Sequence, residues 1–240
     1  NADLILASNV FAHSDNLKEM AECMIKLLSK NGTIIIEVQY LMNTLKDITF
    51  DNIYHEHYNY WSLTSLIKFF NQFEATIYKV EKIKTHGGSI RAYIKKGKKI
   101  HIHNSVNKAI IEEKKFGIKD FKTYEKFAKK VHKIRENIRA NFDKLKKNGK
   151  KIIGFGAPAK ATTALNYFGI SDIDFIVEDN KLKQNKFIPG VNIPIYDKKK
   201  ITQKNNHMVV LAWNFFKDIK KNNDNLSDNF INIKDLETNS

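Results

Sequence analysis

Short apolar runs alternate with amphipathic segments along the first third of the chain. Residues 4–7 form an apolar run, which predicts a buried parallel strand followed by a loop over residues 9–13. Apolar residues then recur at three- and four-residue spacing over residues 16–29, which predicts an amphipathic helix ending at Asn31-Gly32. The run TIIIEVQY, residues 33–40, predicts a second buried strand. Together they predict a β-α-β unit with a right-handed crossover.

The rest of the chain predicts a helical segment between two α/β domains. Residues 63–73 have helical spacing, and residues 75–97 form two strand patterns joined by a turn at residues 86–88. A lysine-rich helical pattern covers residues 105–148. A second α/β pattern follows, with strands predicted at 151–155, 174–177, 208–212 and 230–233 and helices at 159–168 and 214–221. We therefore divide the chain into an α/β domain (1–104), a helical bridge (105–149) and a second α/β domain (150–240).

Composition narrows the class of protein. The formal net charge of +15 comes from 41 basic residues, of which three are arginines, and nucleic-acid readers rely on arginine for bidentate contacts. We therefore expect no nucleic-acid partner. Cys23 stands alone in the 240 residues, which excludes an internal disulfide and a cysteine-cluster metal site within this sequence. No apolar run reaches membrane-spanning length, so we expect no membrane partner and a cytoplasmic location.

The stretch FDNIYHEHYNYW, residues 50–61, concentrates two histidines, a glutamate and several aromatic residues. His55 and His57 would share one face of an extended segment and could serve as metal ligands, but local spacing offers no third ligand. They could also form a hydrogen-bonded structural pair. The third interpretation is general acid–base chemistry, with an imidazole that is tuned and oriented by Glu56 and by two tyrosines, Tyr54 and Tyr58.

A glycine turn lies between a predicted strand and a predicted helix in the second domain. Gly154-x-Gly156-x-x-Ala159 would let the backbone approach a phosphate at the helix N-terminus, and Lys160 would add a charge. The segment Glu178 to Asn180 follows the next strand, where an acidic side chain can meet a ribose hydroxyl. The pattern fits a nucleotide site, a nicotinamide-dependent oxidoreductase, or a tight turn that binds nothing.

Several of these motifs resemble one enzyme family in order and spacing. NVFAH (9–13), IIIEVQY (34–40), FDNIYHEHYNYWSL (50–63) and HGGSIR (86–91) resemble the C-methyltransferases that act on nucleotide-linked deoxysugars. GFGAPAKATTALNYFGI (154–170), EDN (178–180) and IPGVNIPI (188–195) resemble the carboxy-terminal domain of that family. The resemblance implies the later half of a Rossmann-like class I methyltransferase sheet, followed by a second Rossmann-like α/β domain.

The resemblance also implies a reaction, a cofactor and a set of site residues. A methyl group would pass from S-adenosylmethionine to a ring carbon beside the keto group of a dTDP-linked deoxysugar. His57 would be the base that forms the enolate, Glu56 would orient and polarise it, and Tyr54 and His13 would contact the enolate oxygen or the sugar. We expect Asn9 to contact the methyl donor, and the substrate's nucleotide diphosphate to be bound by Gly154, Gly156, Ala157, Lys160, Asp179 and Asn180.

The sequence departs from this family at its amino-terminal end. Family members carry a cysteine-rich zinc-binding domain and a glycine-rich donor loop before the NVFAH motif, and neither is in this sequence. Either the sequence is part of a longer protein, or another polypeptide supplies the missing half. We therefore expect zinc only in the missing region, and read the function as that of the parent protein. A nicotinamide-dependent oxidoreductase and a non-catalytic sugar-nucleotide-binding fragment remain as alternatives. The oligomeric state and the identity of the sugar are left open.

Overall fold

A computed structural model describes residues 1–238, apart from the side chain of His86 in the HGGS motif. The strands form two separate sheets, and the chain divides into two compact units between Ala128 and Lys129. This division falls within the predicted 105–149 bridge. Both sheets combine with helices, which confirms the α/β class of fold.

The first unit contains a mixed four-stranded sheet in the order β1-β2-β4-β3. β1 pairs with β2 in parallel, whereas β4 is antiparallel to both β2 and β3. The two strands predicted on either side of residues 86–88 are therefore confirmed, and they pair in the antiparallel sense. The strands are β1 (Ala2–Ser8), β2 (Leu28–Gln39), β3 (Ala75–Ile83) and β4 (Ser89–Lys96).

Helices and aromatic side chains complete the core of the first unit. Phe11, Tyr40, Leu63 and Phe70 are fully buried against the isoleucines of β2 and β4. Ser62 caps α3 with a reciprocal capping box to Ser65, which fixes where that helix begins. The helices are α1 (Leu17–Leu27), α2 (Leu41–Lys46), α3 (Leu63–Asn71) and α4 (Asn104–Phe116), followed by α5 (Phe121–Lys147), which continues into the second unit.

Glu113 on α4 is a fully buried carboxylate that holds this helix to the first unit. Its Oε1 accepts hydrogen bonds from the Tyr40 hydroxyl (2.8 Å) and the Leu63 N–H (2.5 Å). Its Oε2 accepts from the N–H (2.9 Å) and the hydroxyl (2.5 Å) of Thr64. Burial, together with the charge of Glu113, raises the pKa of Tyr40. The carboxylate therefore caps the amino terminus of α3 from a neighbouring helix.

The second unit contains a six-stranded sheet in the order β10-β9-β5-β6-β8-β7. All neighbours pair in parallel except β7 with β8, which are antiparallel. Strands β5, β6 and β9 are almost wholly buried, as expected of central parallel strands. The elements are β5 (Lys151–Phe155), α6 (Ala159–Phe168), β6 (Phe175–Val177), β7 (Lys186–Phe187), β8 (Pro194–Tyr196), β9 (Asn206–Val210), α7 (Phe216–Asn222) and β10 (Asn229–Asn232).

Four details of the sequence prediction are corrected by the structure. β1 is parallel but not buried, since it is an edge strand with Leu4 54% and Leu6 65% exposed. α1 ends at Leu27 rather than at Asn31-Gly32, because β2 already begins at Leu28. The 105–148 helix is two helices, separated where Gly117 adopts the left-handed conformation. β7 and β8 were missed because strands of two and three residues leave no periodic signal.

Candidate active site

The HEH stretch lies on a loop between α2 and α3 that is closed at its base. Tyr40 and Trp61 form a β-bridge across the loop, and the Leu41 N–H donates to the Trp61 carbonyl at 2.9 Å. Phe50, Asp51 and Asn52 form a buried 3₁₀ turn in the first part of the loop. This anchoring leaves residues 53–60 to project their side chains from a fixed base.

Three of the predicted catalytic side chains come together at this loop. The ring centroids of Tyr54 and His57 are 4.4 Å apart, and those of His13 and His57 are 5.0 Å apart. Asn59 joins the His13 loop to the HEH loop, since its N–H donates to the Ala12 carbonyl at 3.2 Å and its side-chain amide to the Ser14 carbonyl at 3.1 Å. The structure thus gathers residues from distant parts of the sequence around His57.

A backbone carbonyl defines the tautomer of His57. Nδ1 of His57 lies 2.6 Å from the carbonyl oxygen of Asn52. Because a carbonyl can only accept, Nδ1 carries the proton, and Nε2 of the neutral ring keeps its lone pair. His57 is half-buried, and the contact at Nδ1 fixes the orientation of its ring. The arrangement provides a base at Nε2, oriented by a backbone group that sequence reasoning missed.

Tyr54 lies beside this base as a proton donor. Burial raises the pKa of Tyr54, and the negative charges of Glu56 and Asp51 raise it further. The phenol therefore stays protonated at neutral pH and can donate a hydrogen bond. Glu56 and His55 are exposed. The charge of Glu56 acts on Tyr54, and the Asn52 carbonyl orients His57 at Nδ1. Tyr60, whose ring lies 6.3 Å from that of His57, is a further neighbour that the motif did not single out.

The HGGS turn packs next to the HEH loop. A Cβ on Gly87 would lie 3.9 Å from the Thr49 methyl and 4.0 Å from the Asn52 amide nitrogen, and one on Gly88 would collide with Asn43. Both glycines have positive φ angles, 82° and 105°. At the end of β2, the nearly buried Glu37 accepts from Arg91 at 2.9 Å and from the Thr85 hydroxyl at 3.2 Å. These contacts of the Glu37 carboxylate hold the turn against the central strands.

Asn9 is the residue expected to contact the methyl donor, and it lies where β1 ends. It has a positive φ of 55°, and its N–H donates to the Glu37 carbonyl at 2.9 Å. Asn9 thus follows the carboxyl end of β1 with a fixed backbone, and its side chain is half-buried. Open α/β sheets bind ligands outside the carboxyl ends of their strands, so the position of Asn9 fits the expected contact with the methyl donor.

The glycine turn of the second unit is occupied by hydrogen bonds within the chain. The Gly156 N–H donates to the Val177 carbonyl at 2.8 Å, and the Ala157 N–H donates to the Glu178 carboxylate at 2.8 Å. A Cβ on Gly154 would lie 2.6 Å from the Ile176 side chain, and one on Gly156 would lie 2.9 Å from the Ala212 Cβ. Close packing between strands therefore requires both glycines, whether or not a ligand binds.

The other predicted substrate-binding residues lie around the same end of the sheet. Asp179 forms an ion pair with Lys198 at 2.9 Å, and Asn180 accepts from the Leu182 N–H at 3.0 Å through its side chain. The ammonium group of Lys160 lies over the Trp213 ring, 5.5 Å from the ring centroid. Trp213 follows β9, and sequence reasoning did not single it out as a site residue.

Two properties concern metals and membranes. Within residues 1–238, no group of three or more His, Cys, Asp or Glu side chains is arranged to hold a metal ion. In the same part of the chain, no helix combines the length and apolar character needed to cross a bilayer.

Comparison with known proteins identifies the class. The C-terminal domain of C-methyltransferases matches residues 84–232, and a methyltransferase domain matches residues 1–80. The chain therefore belongs to the C-methyltransferase family. It is 32% identical over 225 residues to the C-methyltransferase NovU of Streptomyces niveus, an alignment that covers 92% of this chain and 54% of NovU. The chain thus spans about half the length of this curated relative.

Proposed function

We propose that this chain is the carboxy-terminal part of an S-adenosylmethionine-dependent enzyme that methylates a ring carbon beside the keto group of a dTDP-linked deoxysugar. The observation that carries the proposal is the His57 site, where a base with an oriented tautomer lies beside a protonated phenol. The family match supports methyl transfer to carbon. The motif resemblance supports the sugar-nucleotide substrate.

The chemistry requires both groups at this site. A carbon next to a carbonyl becomes nucleophilic only after it loses a proton, and Nε2 of His57 would take that proton. The developing enolate oxygen needs a hydrogen-bond donor, which Tyr54 would provide and His13 could supplement. Glu56 would orient and polarise the base, and the Asn52 carbonyl would stabilise the imidazolium formed at His57.

This chain would contribute one contact to the methyl donor. S-adenosylmethionine, when bound, supplies an electrophilic methyl group to the carbon that the base has activated. Asn9, at the carboxyl edge of the first sheet, is the residue of this chain that we assign to contact it. The proton removed from the ring carbon stays on His57 until solvent receives it.

The second unit would bind the nucleotide, as a Rossmann-like domain. Lys160, Asp179 and Asn180 lie at the carboxyl end of its parallel sheet, the end at which open α/β sheets bind ligands. The Gly156 and Ala157 N–H groups are engaged with Val177 and Glu178, so we assign Gly154, Gly156 and Ala157 to shaping this edge. The same engagement argues against a nicotinamide dinucleotide, whose pyrophosphate would need those donors.

Ring-proton exchange in deuterated water tests the proposal without a methyl donor. The complete protein that contains this chain should catalyse exchange of the proton beside the keto group of a dTDP-linked keto-deoxysugar, and proton NMR measures the rate. His57→Ala should lower the rate by at least about 100-fold, in the range for general base catalysis. His55→Ala is the matched control, because His55 is exposed on the same loop, and its rate should stay within about twofold of wild type. Equal rates for His57→Ala and wild type would remove His57 as the base.

A further inference from the structure

Two lysines and a glutamate surround one tryptophan in the second unit. In this group, the Trp213 cluster (Lys160, Trp213, Lys234 and Glu237), the ammonium groups of Lys160 and Lys234 lie 5.5 and 5.1 Å from the centre of the Trp213 ring. Lys234 is also paired with Glu237 at 2.6 Å. Two lysines and one glutamate give the cluster a net charge of +1. The half-buried Trp213 ring brings the two ammonium groups together.

Sheet topology places the Trp213 cluster where a ligand is expected. The chain runs from β5 to β6 and β8 on one side of the sheet, then returns to β9 and β10 on the other side of β5. The strand order therefore reverses between β5 and β9, and ligands of open α/β sheets bind outside the carboxyl ends of the strands at such a point. Lys160 follows β5, Trp213 follows β9, and Lys234 follows β10.

The neighbouring glycine turn is a poor seat for an anion in this chain. Glu178 already accepts the Ala157 N–H, and its Oε1 also accepts the Asn180 N–H at 3.0 Å. A phosphate at this turn would have to displace a carboxylate of the same sign of charge. The phosphate-binding charge must therefore come from another part of the same edge.

The Trp213 cluster has the chemistry that the turn lacks. Lysine ammonium groups bind phosphate as point charges, and the face of an indole ring attracts cations. Two ammonium groups at one ring repel each other, and a bound dianion relieves that repulsion. Trp213 thus keeps both cations in place before the ligand arrives, which lowers the entropy cost of binding.

We propose that the Trp213 cluster is the diphosphate seat of the nucleotide sugar, in place of the glycine turn. Lys160 and Lys234 contact the phosphate oxygens, Trp213 positions both lysines, and Glu237 competes with the ligand for Lys234. This inference rests on the proposed function, because it takes a nucleoside diphosphate as the ligand.

Calorimetric titration of the chain with dTDP tests the seat, because some variants should raise the Kd and another should lower it. Lys234→Gln and Lys160→Gln should each raise the Kd at least about tenfold, since each removes a charge-assisted contact. Glu237→Gln should lower the Kd, because it releases Lys234 from its competitor. Trp213→Leu should raise the Kd more than Trp213→Phe, which keeps an aromatic face.

Two control variants separate the seat from general electrostatics and from the glycine turn. Lys199→Gln removes the same charge from an exposed position of the second unit and should change the Kd less than about twofold. Glu178→Gln should also have little effect, whereas a seat at the glycine turn would bind dTDP much more tightly after that change. Far-UV circular dichroism checks that each variant is folded. If Trp213→Leu does not fold, the lysine variants alone test the seat.

The outcomes distinguish this inference from the function on which it rests. If wild type binds dTDP and the Lys234 and Glu237 variants bind it equally well, the seat is elsewhere while the proposed function stands. If the folded wild-type chain binds no dTDP, both the seat and the nucleotide-sugar substrate are wrong. Tighter binding in Glu178→Gln with no change in Lys234→Gln would assign the diphosphate to the glycine turn.

Discussion

Replacing Glu113 with alanine should destabilise the first unit far more than replacing its neighbour Glu112. Glu113 is fully buried and accepts four hydrogen bonds, from Tyr40, Leu63 and Thr64. Its loss leaves two hydroxyls and two backbone N–H groups without this acceptor. An unsatisfied buried donor costs about 1–3 kcal/mol before water enters the space. We expect a loss of at least about 3 kcal/mol in the free energy of unfolding.

Glu112→Ala is the matched control, one residue away on the same helix. Glu112 pairs with Lys82 on the surface, and both side chains are nearly half exposed, so this pair contributes about 0–1 kcal/mol. Urea unfolding followed by circular dichroism measures both variants. Glu113→Gln should be intermediate, because it keeps one acceptor oxygen but turns an amide donor toward other donors. Losses in Glu113→Ala and Glu112→Ala that agree within about 0.5 kcal/mol would refute the reasoning, since no buried cap could then be important.

Two further predictions concern single side chains. Tyr54→Phe should slow ring-proton exchange by about 100-fold or more, the loss typical of one enolate-stabilising donor, while Tyr58→Phe, on the exposed side of the same loop, should not. His207 has a lowered pKa, from burial and then from Lys150, and its Nδ1 lies 2.7 Å from the Asn229 amide nitrogen. His207 therefore takes up a proton at a higher pH in the unfolded chain than in the folded chain. As the pH falls below about 6.5, the free energy of unfolding should decrease in wild type but not in His207→Asn. Parallel pH profiles of the free energy of unfolding would contradict this.

Periodicity predicted most of the fold because burial sets that pattern directly. The strands at 33–40 and 151–155 and the helix at 159–168 were found because their buried residues recur at the period of the element. Glu113 could not be found in this way. It occupies the buried face of α4 together with Val106 and Ala109, and a sequence pattern counts a glutamate as exposed.

The site shows the same limit at the level of individual groups. The motif predicted the proximity of Tyr54 and His57, which lie three residues apart, and the resemblance added His13. The group that orients His57 is the carbonyl of Asn52, and a backbone oxygen leaves no trace in residue type. The glycine pattern correctly predicted a strand-turn-helix, but not that Glu178 would take the Ala157 N–H, because that bond depends on how β6 ends beside the turn.

The central claim of the proposal is that the protein containing this chain activates a ring carbon through its neighbouring keto group. The most direct test compares the complete wild-type protein, in deuterated water and without methyl donor, on a dTDP-linked keto-deoxysugar and on the same sugar nucleotide with its keto group reduced to a hydroxyl. The account predicts deuterium at the carbon beside the keto group of the first compound and none in the second, because only a carbonyl can accept the charge of the carbanion. No exchange in the keto sugar above the rate without protein, although the complete protein is folded and binds dTDP, would contradict it.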